Sequence, residues 1–212
     1  MTEPQRSSEP GEFYVLPGVG PYPHPWPAGS DYDEKLLAEG DNRNVQDEFR
    51  YLSVAAIAER LSQRREPVEV AIENWQHDLN IGALVRTANA FNVNRFHIIG
   101  NKHWNPNGAV GTYKYLEIEH HLDVDSFERE VKSRDLPIIG FEHAENSEPL
   151  ETARLPRRCV LLFGNEGLGL TAEALAACDK IYEIAQAGSV RSINASAAGA
   201  IALYAWRIQS EN

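Results

Sequence analysis

Three stretches of the chain hold residues whose types and spacing can do chemistry. The first, Asn80-Ile81-Gly82-Ala83-Leu84-Val85-Arg86-Thr87-Ala88-Asn89-Ala90-Phe91, sets an amide side chain at the head of an apolar helical run and an arginine almost two turns further in. Asn80 can cap such a helix, and a guanidinium fixed on a rigid helix suits a phosphate or a developing oxyanion. A capped helix with one arginine is also ordinary structure, so this segment says little alone. The second stretch, Leu162 to Thr171, runs from an apolar strand into Gly164, Asn165, Glu166, Gly167, Leu168 and Gly169 before a helix. Glycines there let backbone approach a ligand closely. The spacing is neither the dinucleotide fingerprint nor the P-loop, so hydride transfer and nucleotide hydrolysis lose support. A carboxylate at Glu166 repels phosphate, which favours a cation, a nucleoside or a hydroxyl donor as ligand. The third stretch, Gly188 to Tyr204, is a loop with Ser192, Ile193 and Asn194 that leads into a helix of mostly tiny residues. Such a helix, apolar around much of its circumference, belongs in a core or between subunits.

The elements that must position these stretches follow one rhythm. Val68-Ile72, Phe96-Ile99, Leu136-Phe141, Cys159-Phe163 and Ile181-Ile184 read as strands, and Ile81-Phe91, Ser126-Arg134, Thr171-Cys178 and Ala195-Ile208 as helices. Alternation of this kind predicts an α/β fold with a mostly parallel sheet and helices on both faces. Upstream, residues 1–44 form an arm in which Pro4, Pro10, Pro17, Pro21, Pro23, Pro25 and Pro27 forbid regular structure near the start. Its aromatics Phe13, Tyr14, Tyr22 and Trp26 are out of character for a purely solvated tail. Residues 45–67 read as a helical segment, from the spacing of Val45, Phe49, Leu52, Ala56 and Leu61, closed by Pro67. Residues 68–212 carry all three chemical stretches.

In this order and at these strand ends, the three stretches resemble the sequence motifs of the SpoU (TrmH) family of RNA ribose 2′-O-methyltransferases, part of the SPOUT superfamily. The resemblance covers roughly Val68 to Trp206. It implies an α/β domain with a C-terminal trefoil knot, S-adenosylmethionine as cofactor, tRNA or rRNA as substrate, and a homodimer. It implies catalytic roles for Asn80, Arg86, Glu166, Ser192 and Asn194, and a cofactor pocket lined by Phe141, Gly164, Asn165, Gly167, Ile184 and Ile193. Asn92 stands where the family often has glycine, a replacement that tolerates left-handed backbone. A non-catalytic RNA-binding relative and a methyltransferase acting on an RNA base are the alternatives.

Composition narrows the field further. The chain has 212 residues, 24 % of them charged, and a formal net charge of −11, which excludes a broad basic surface for nucleic acid and leaves only a confined patch. Arg154, Arg157 and Arg158, with Arg86, Arg95, Lys102, Lys114 and Arg191, are the candidates for it. No apolar run reaches the roughly 20 residues of a membrane span, and the N-terminus does not read as a signal peptide, so a cytoplasmic protein is expected. Two cysteines, Cys159 and Cys178, are too few for a disulfide scaffold and read as thiols. His97, His103, His120, His121 and His143 lack a zinc-ligand spacing, so no metal is expected.

Overall fold

The computed structural model describes residues 18–75, 80–165 and 167–210. Glu166 lies outside them, as do the first prolines of the arm with Phe13 and Tyr14. The chain forms two compact units, one ending at Ile57 and one beginning at Ala58.

In the first unit the proline-rich stretch gives way to a short helix α1 (Glu34–Glu39) that the sequence reading does not anticipate. Asp33 starts it by accepting from the amides of Lys35 and Leu36 at 3.0 and 3.2 Å, and Gly40, at φ 97°, ends it. Asp41 is fully buried. It accepts from Arg43 Nε and Nη2 at 2.9 and 2.7 Å and from the Tyr51 amide at 3.0 Å. Burial alone raises such a carboxyl, but the Arg43 and backbone bonds outweigh it and hold Asp41 at about 2. The helical rhythm that begins at Val45 is broken. A 3₁₀ turn covers Asp47–Phe49, Tyr51 then takes a left-handed φ of 63°, and helix α2 (Val54–Ser62) begins only after Ser53, whose Oγ accepts from the Ala56 amide at 3.2 Å. A left-handed residue cannot continue a right-handed helix.

The second unit is built on seven strands: β1 (Glu69–Asn74), β2 (Phe96–Gly100), β3 (Ile118–His121), β4 (Ile138–Phe141), β5 (Glu148–Pro149), β6 (Val160–Phe163) and β7 (Lys180–Glu183). They form one sheet in the order β3-β2-β1-β6-β4-β7-β5, with every pairing parallel. The helices are α3 (Asn80–Ala90), α4 (Val124–Ser133), α5 (Ala172–Ala177) and α6 (Ala195–Ser210). Because side chains alternate along a strand, two cores result. Val70, Ile72, Phe96, Ile98, Leu161 and Phe163 meet α3 and α6 through Leu84, Ala202, Leu203 and Trp206. Ala71, Ile99, Ile138, Val160 and Leu162 meet α4 and α5 through Phe127, Val131 and Ala174. The strands and helices predicted within residues 68–212 are all present, within a few residues of their expected ends.

Covering both faces has a cost on the polar positions of β1. Glu69 and Glu73 are both buried, Glu69 against Arg134 beyond α4 and Glu73 at the start of α5. The tiny residues of α6 have a local reason: a Cβ on Gly199 would stand 2.2 Å from Leu84 Cδ1 of α3. Asn92, just past α3, adopts φ 48° as its resemblance to a glycine position requires. Among the described residues no helix is long and apolar enough to cross a membrane.

Candidate active site

Since all strands are parallel, the loops after β4, β6 and β7 emerge at one edge of the sheet, where ligands of open α/β folds sit. They enclose a cavity of about 340 Å³. Phe141, Gly164, Asn165, Gly167, Ile184 and Ile193 all line it, together with Ser192. The six positions expected around a cofactor thus come together from four separate segments.

The loop after β6 owes its shape to its glycines. Gly167 and Gly169 have φ of 92° and 68°. Asn165 and Gly169 exchange backbone bonds, Asn165 N to Gly169 O at 3.3 Å and Gly169 N to Asn165 O at 3.1 Å. A Cβ on Gly164 would lie 2.1 Å from the Gly169 carbonyl carbon, so nothing larger fits where the loop folds back. Asn165 is 4 % exposed and neither polar atom of its side-chain amide has a partner among the described residues. A buried, unsatisfied amide on a cavity wall is costly by itself, and a polar ligand in the cavity removes that cost.

The cavity also holds groups that the sequence reading missed. Glu142, immediately after Phe141, accepts from the Leu170 amide at 2.9 Å and ties the loop after β6 to that after β4. Glu183 accepts from Ser147 Oγ at 2.8 Å and pairs with His143 Nδ1 at 2.5 Å. These bonds hold its carboxyl below the ordinary value, so it stays anionic. Arg191 supplies an opposite charge to the lining. For Glu142 and Glu183 the available signal was adjacency to a predicted strand end; His143 carried none.

The first and third stretches meet directly. Asn194 Nδ2 donates to Asn80 Oδ1, joining positions 114 residues apart. Asn194 Oδ1 also accepts from the Ser196 amide at 2.9 Å and so starts α6. Asn80 is therefore the first residue of α3 and is clasped to the start of α6. Arg86 lies on the exposed side of α3, outside the cavity lining, with no side-chain bond to any described residue. Glu166 lies outside the described residues. Of the candidate cations, Arg95 is withdrawn from any patch by pairs with Glu117, Glu119 and Glu130. Lys102, Lys114, Arg154, Arg157, Arg158 and Arg191 are exposed.

Comparison with known proteins places this geometry among relatives. The model of the SpoU rRNA Methylase family matches residues 67–204. The tRNA (guanosine(18)-2′-O)-methyltransferase of Escherichia coli is 27 % identical over 161 residues, which cover 74 % of this chain and 70 % of that protein. The crystal structure of an A. aeolicus TrmH/SpoU tRNA modifying enzyme superposes with a TM-score of 0.66 at 27 % identity, covering 74 % of this chain and 82 % of the other. The SpoU methyltransferase AviRb from Streptomyces viridochromogenes, solved in complex with the cofactor AdoMet, shares the fold with a TM-score of 0.62 at 22 % identity, over 73 % of this chain and 62 % of that one.

Proposed function

Because the chain belongs to the SpoU rRNA Methylase family, we propose that it is an S-adenosylmethionine-dependent enzyme that transfers a methyl group to a ribose 2′-hydroxyl of tRNA or rRNA. The observation that carries this reading is the cavity at the ends of β4, β6 and β7, whose buried Asn165 side-chain amide lacks a partner among the described residues. Its size suits a nucleoside-sized ligand. Its lining suits the cofactor's mixed charge, with Glu142 and Glu183 toward cationic groups and Arg191 toward a carboxylate.

The cofactor supplies an electrophilic methyl on a positively charged sulfur. The protein's part is to position the acceptor and to stabilise charge. Gly164, Asn165 and Gly167 offer backbone and amide groups to the nucleoside; Phe141, Ile184 and Ile193 exclude water around it. Ser192 and Asn194 fix the third wall, and Asn80 anchors α3 against it. A guanidinium is a poor base, so Arg86 is assigned the task of steadying the oxygen that develops negative charge as the hydroxyl proton passes to solvent water. Glu166 is assigned an orienting role on the arginine or the ribose.

The same reading includes a trefoil knot formed by the loops around the cavity, a cytoplasmic location, and RNA docking through a confined set of cations. It also includes a homodimer. Opposite the buried Gly199, Ala202, Leu203 and Trp206, helix α6 exposes Ile201, Tyr204 and Ile208 at 43, 62 and 44 %, a stripe that a second copy covers. Incubation with labelled cofactor and total RNA, followed by mapping of the modified nucleoside, tests the activity. A label on ribose supports it; a label on a base, or none, favours the two alternatives. Arg86→Ala is expected to lower turnover by about 10²–10³-fold, with cofactor affinity and thermal stability unchanged, since the side chain makes no bond to any described residue.

A further inference from the structure

Away from the cavity, strand register assembles a cluster that sequence spacing conceals. β2 and β3 pair so that His97 faces Glu119 and Ile99 faces His121, and α4 with its C-cap brings Glu130 and Arg134 to them. One ligand atom from each of His97, His121, Glu119 and Glu130 lies within 4.8 Å of the others. His97 is fully buried and His121 is 6 % exposed. His97 Nδ1 stands 2.9 Å from His121 Nε2 and 3.7 Å from Glu119 Oε2.

The surroundings orient these atoms as a metal's outer ligands do. His97 Nε2 is 2.8 Å from Glu69 Oε2, a carboxylate placed behind the ring, while Nδ1 is turned toward the cluster. A carboxylate behind a ligating imidazole is the usual support for a metal-bound histidine. Glu69 is itself held by both Arg134 amino groups, at 2.6 and 2.9 Å. Arg134 Nη2 also holds Glu130 at 2.9 Å, while Arg95 Nη1 holds Glu119 and Glu130 at 3.1 and 3.3 Å. Phe127 closes the site on one side, its ring 5.5 and 5.4 Å from the two imidazoles. Charge is left over. Glu69, Glu119 and Glu130 pair with two guanidiniums, those of Arg95 and Arg134, three carboxylates against two cations, an acidic excess that a bound cation offsets.

We propose that His97, His121, Glu119 and Glu130 form a binding site for a divalent transition metal of the zinc type, pinning edge strand β3 to β2 and α4. Two imidazoles and two carboxylates suit zinc or cobalt(II) in tetrahedral geometry. Bonds of roughly 2.0–2.1 Å place such ligand atoms about 3.3 Å apart, close to the 2.9 and 3.7 Å found here. The sequence-based expectation of no metal rested on local spacing, and positions 97, 119, 121 and 130 converge only through parallel pairing.

The test uses the full-length protein, stripped with a chelator and titrated with cobalt(II) alone, followed by zinc. Expected are intense tetrahedral cobalt bands that saturate at one equivalent, displacement by zinc, and a zinc-dependent rise of several degrees in the melting temperature. His121→Asn and Glu119→Gln, both at the sheet edge, should weaken uptake more than tenfold and remove the zinc-dependent rise. Circular dichroism of both variants verifies that they fold. Absence of saturable uptake by the wild type, or uptake unchanged in both folded variants, overturns the site and leaves a plain hydrogen-bonded network. The readout does not depend on methyl transfer.

Discussion

Asn194 is the sharpest place to separate positioning from chemistry. Replacing it with alanine removes two things. The cap on α6, in which Oδ1 accepts from the Ser196 amide at 2.9 Å, is worth about 1 kcal/mol. The bond to Asn80 is the second loss, and at a position 8 % exposed removing a side-chain hydrogen bond costs about 1–2 kcal/mol. Together the change destabilises the fold by about 2–3 kcal/mol, or roughly 5–10 °C in melting temperature for a chain of this size. Asn194→Asp keeps the cap and adds a charge favoured at a helix N-terminus, but sets an oxygen where Nδ2 donated to Asn80. Differential scanning fluorimetry should therefore show the aspartate variant recovering about a third to a half of the loss. Cofactor affinity, read by calorimetry, should stay weakened in both, because Ser192 and Ile193 hang on the clasp. An alanine variant that melts within about 1 °C of wild type refutes the clasp as a structural link between the first and third stretches.

Gly164→Ala drives a Cβ to 2.1 Å from Gly169 C and 2.3 Å from Leu170 N; such overpacking costs about 1–3 kcal/mol, and calorimetry should show cofactor affinity down at least about tenfold. Unchanged affinity would remove this loop from the cofactor site. Ile201→Glu paired with Tyr204→Asp puts charge into the exposed stripe of α6, and sedimentation should then find monomers where the wild type sediments as a dimer. Asp41 predicts an acid transition in the first unit: with its carboxyl lowered from 3.8 to about 2, its contribution is complete above 3.8 and vanishes as pH falls through about 2. After allowance for solvent screening this amounts to about 1 kcal/mol. Hydrogen exchange at the Tyr51 amide, which Asp41 accepts, should accelerate over that interval in the wild type, and in Asp41→Asn it should be fast throughout.

Much of this architecture is legible in the sequence because the β-strands of a sheet covered on both faces are nearly continuous apolar runs; β4 and β6 are that, and β2 is broken only by His97. What escapes has identifiable causes. β3 is an edge strand reading Ile118-Glu119-His120-His121, with no apolar pattern to betray it, and β5 is two residues long. The break at Tyr51 depends on one backbone angle that residue type does not announce. In β1 the alternation of apolar and acidic residues suggests a wet face, whereas Glu69 is buried by bonds to His97, Arg134 and Asn94. The cavity positions could be named in advance only through family resemblance, since nothing in the spacing of Phe141, Gly164, Ile184 and Ile193 brings them together. The Asn80 clasp and the histidine cluster are products of tertiary register and were invisible.

The buried carboxylates also explain how short loops hold a preformed cavity. Glu73 accepts from Thr171 N and Oγ1 at 2.8 and 2.7 Å and from Trp75 Nε1 at 2.9 Å. Thr171 in turn caps α5 through the Ala174 amide at 3.2 Å. One side chain at the end of β1 thereby fixes where the loop after β6 stops, and Glu142 fixes the residue before it through the Leu170 amide. With Gly164 and Gly169 in contact at the other end, the loop is restrained at its start and its finish. Little conformational entropy is then left to lose when a ligand binds. An acidic chain can accordingly hold a cationic cofactor by shape and backbone, and under the proposed function Arg86 and the few exposed cations meet the negatively charged substrate.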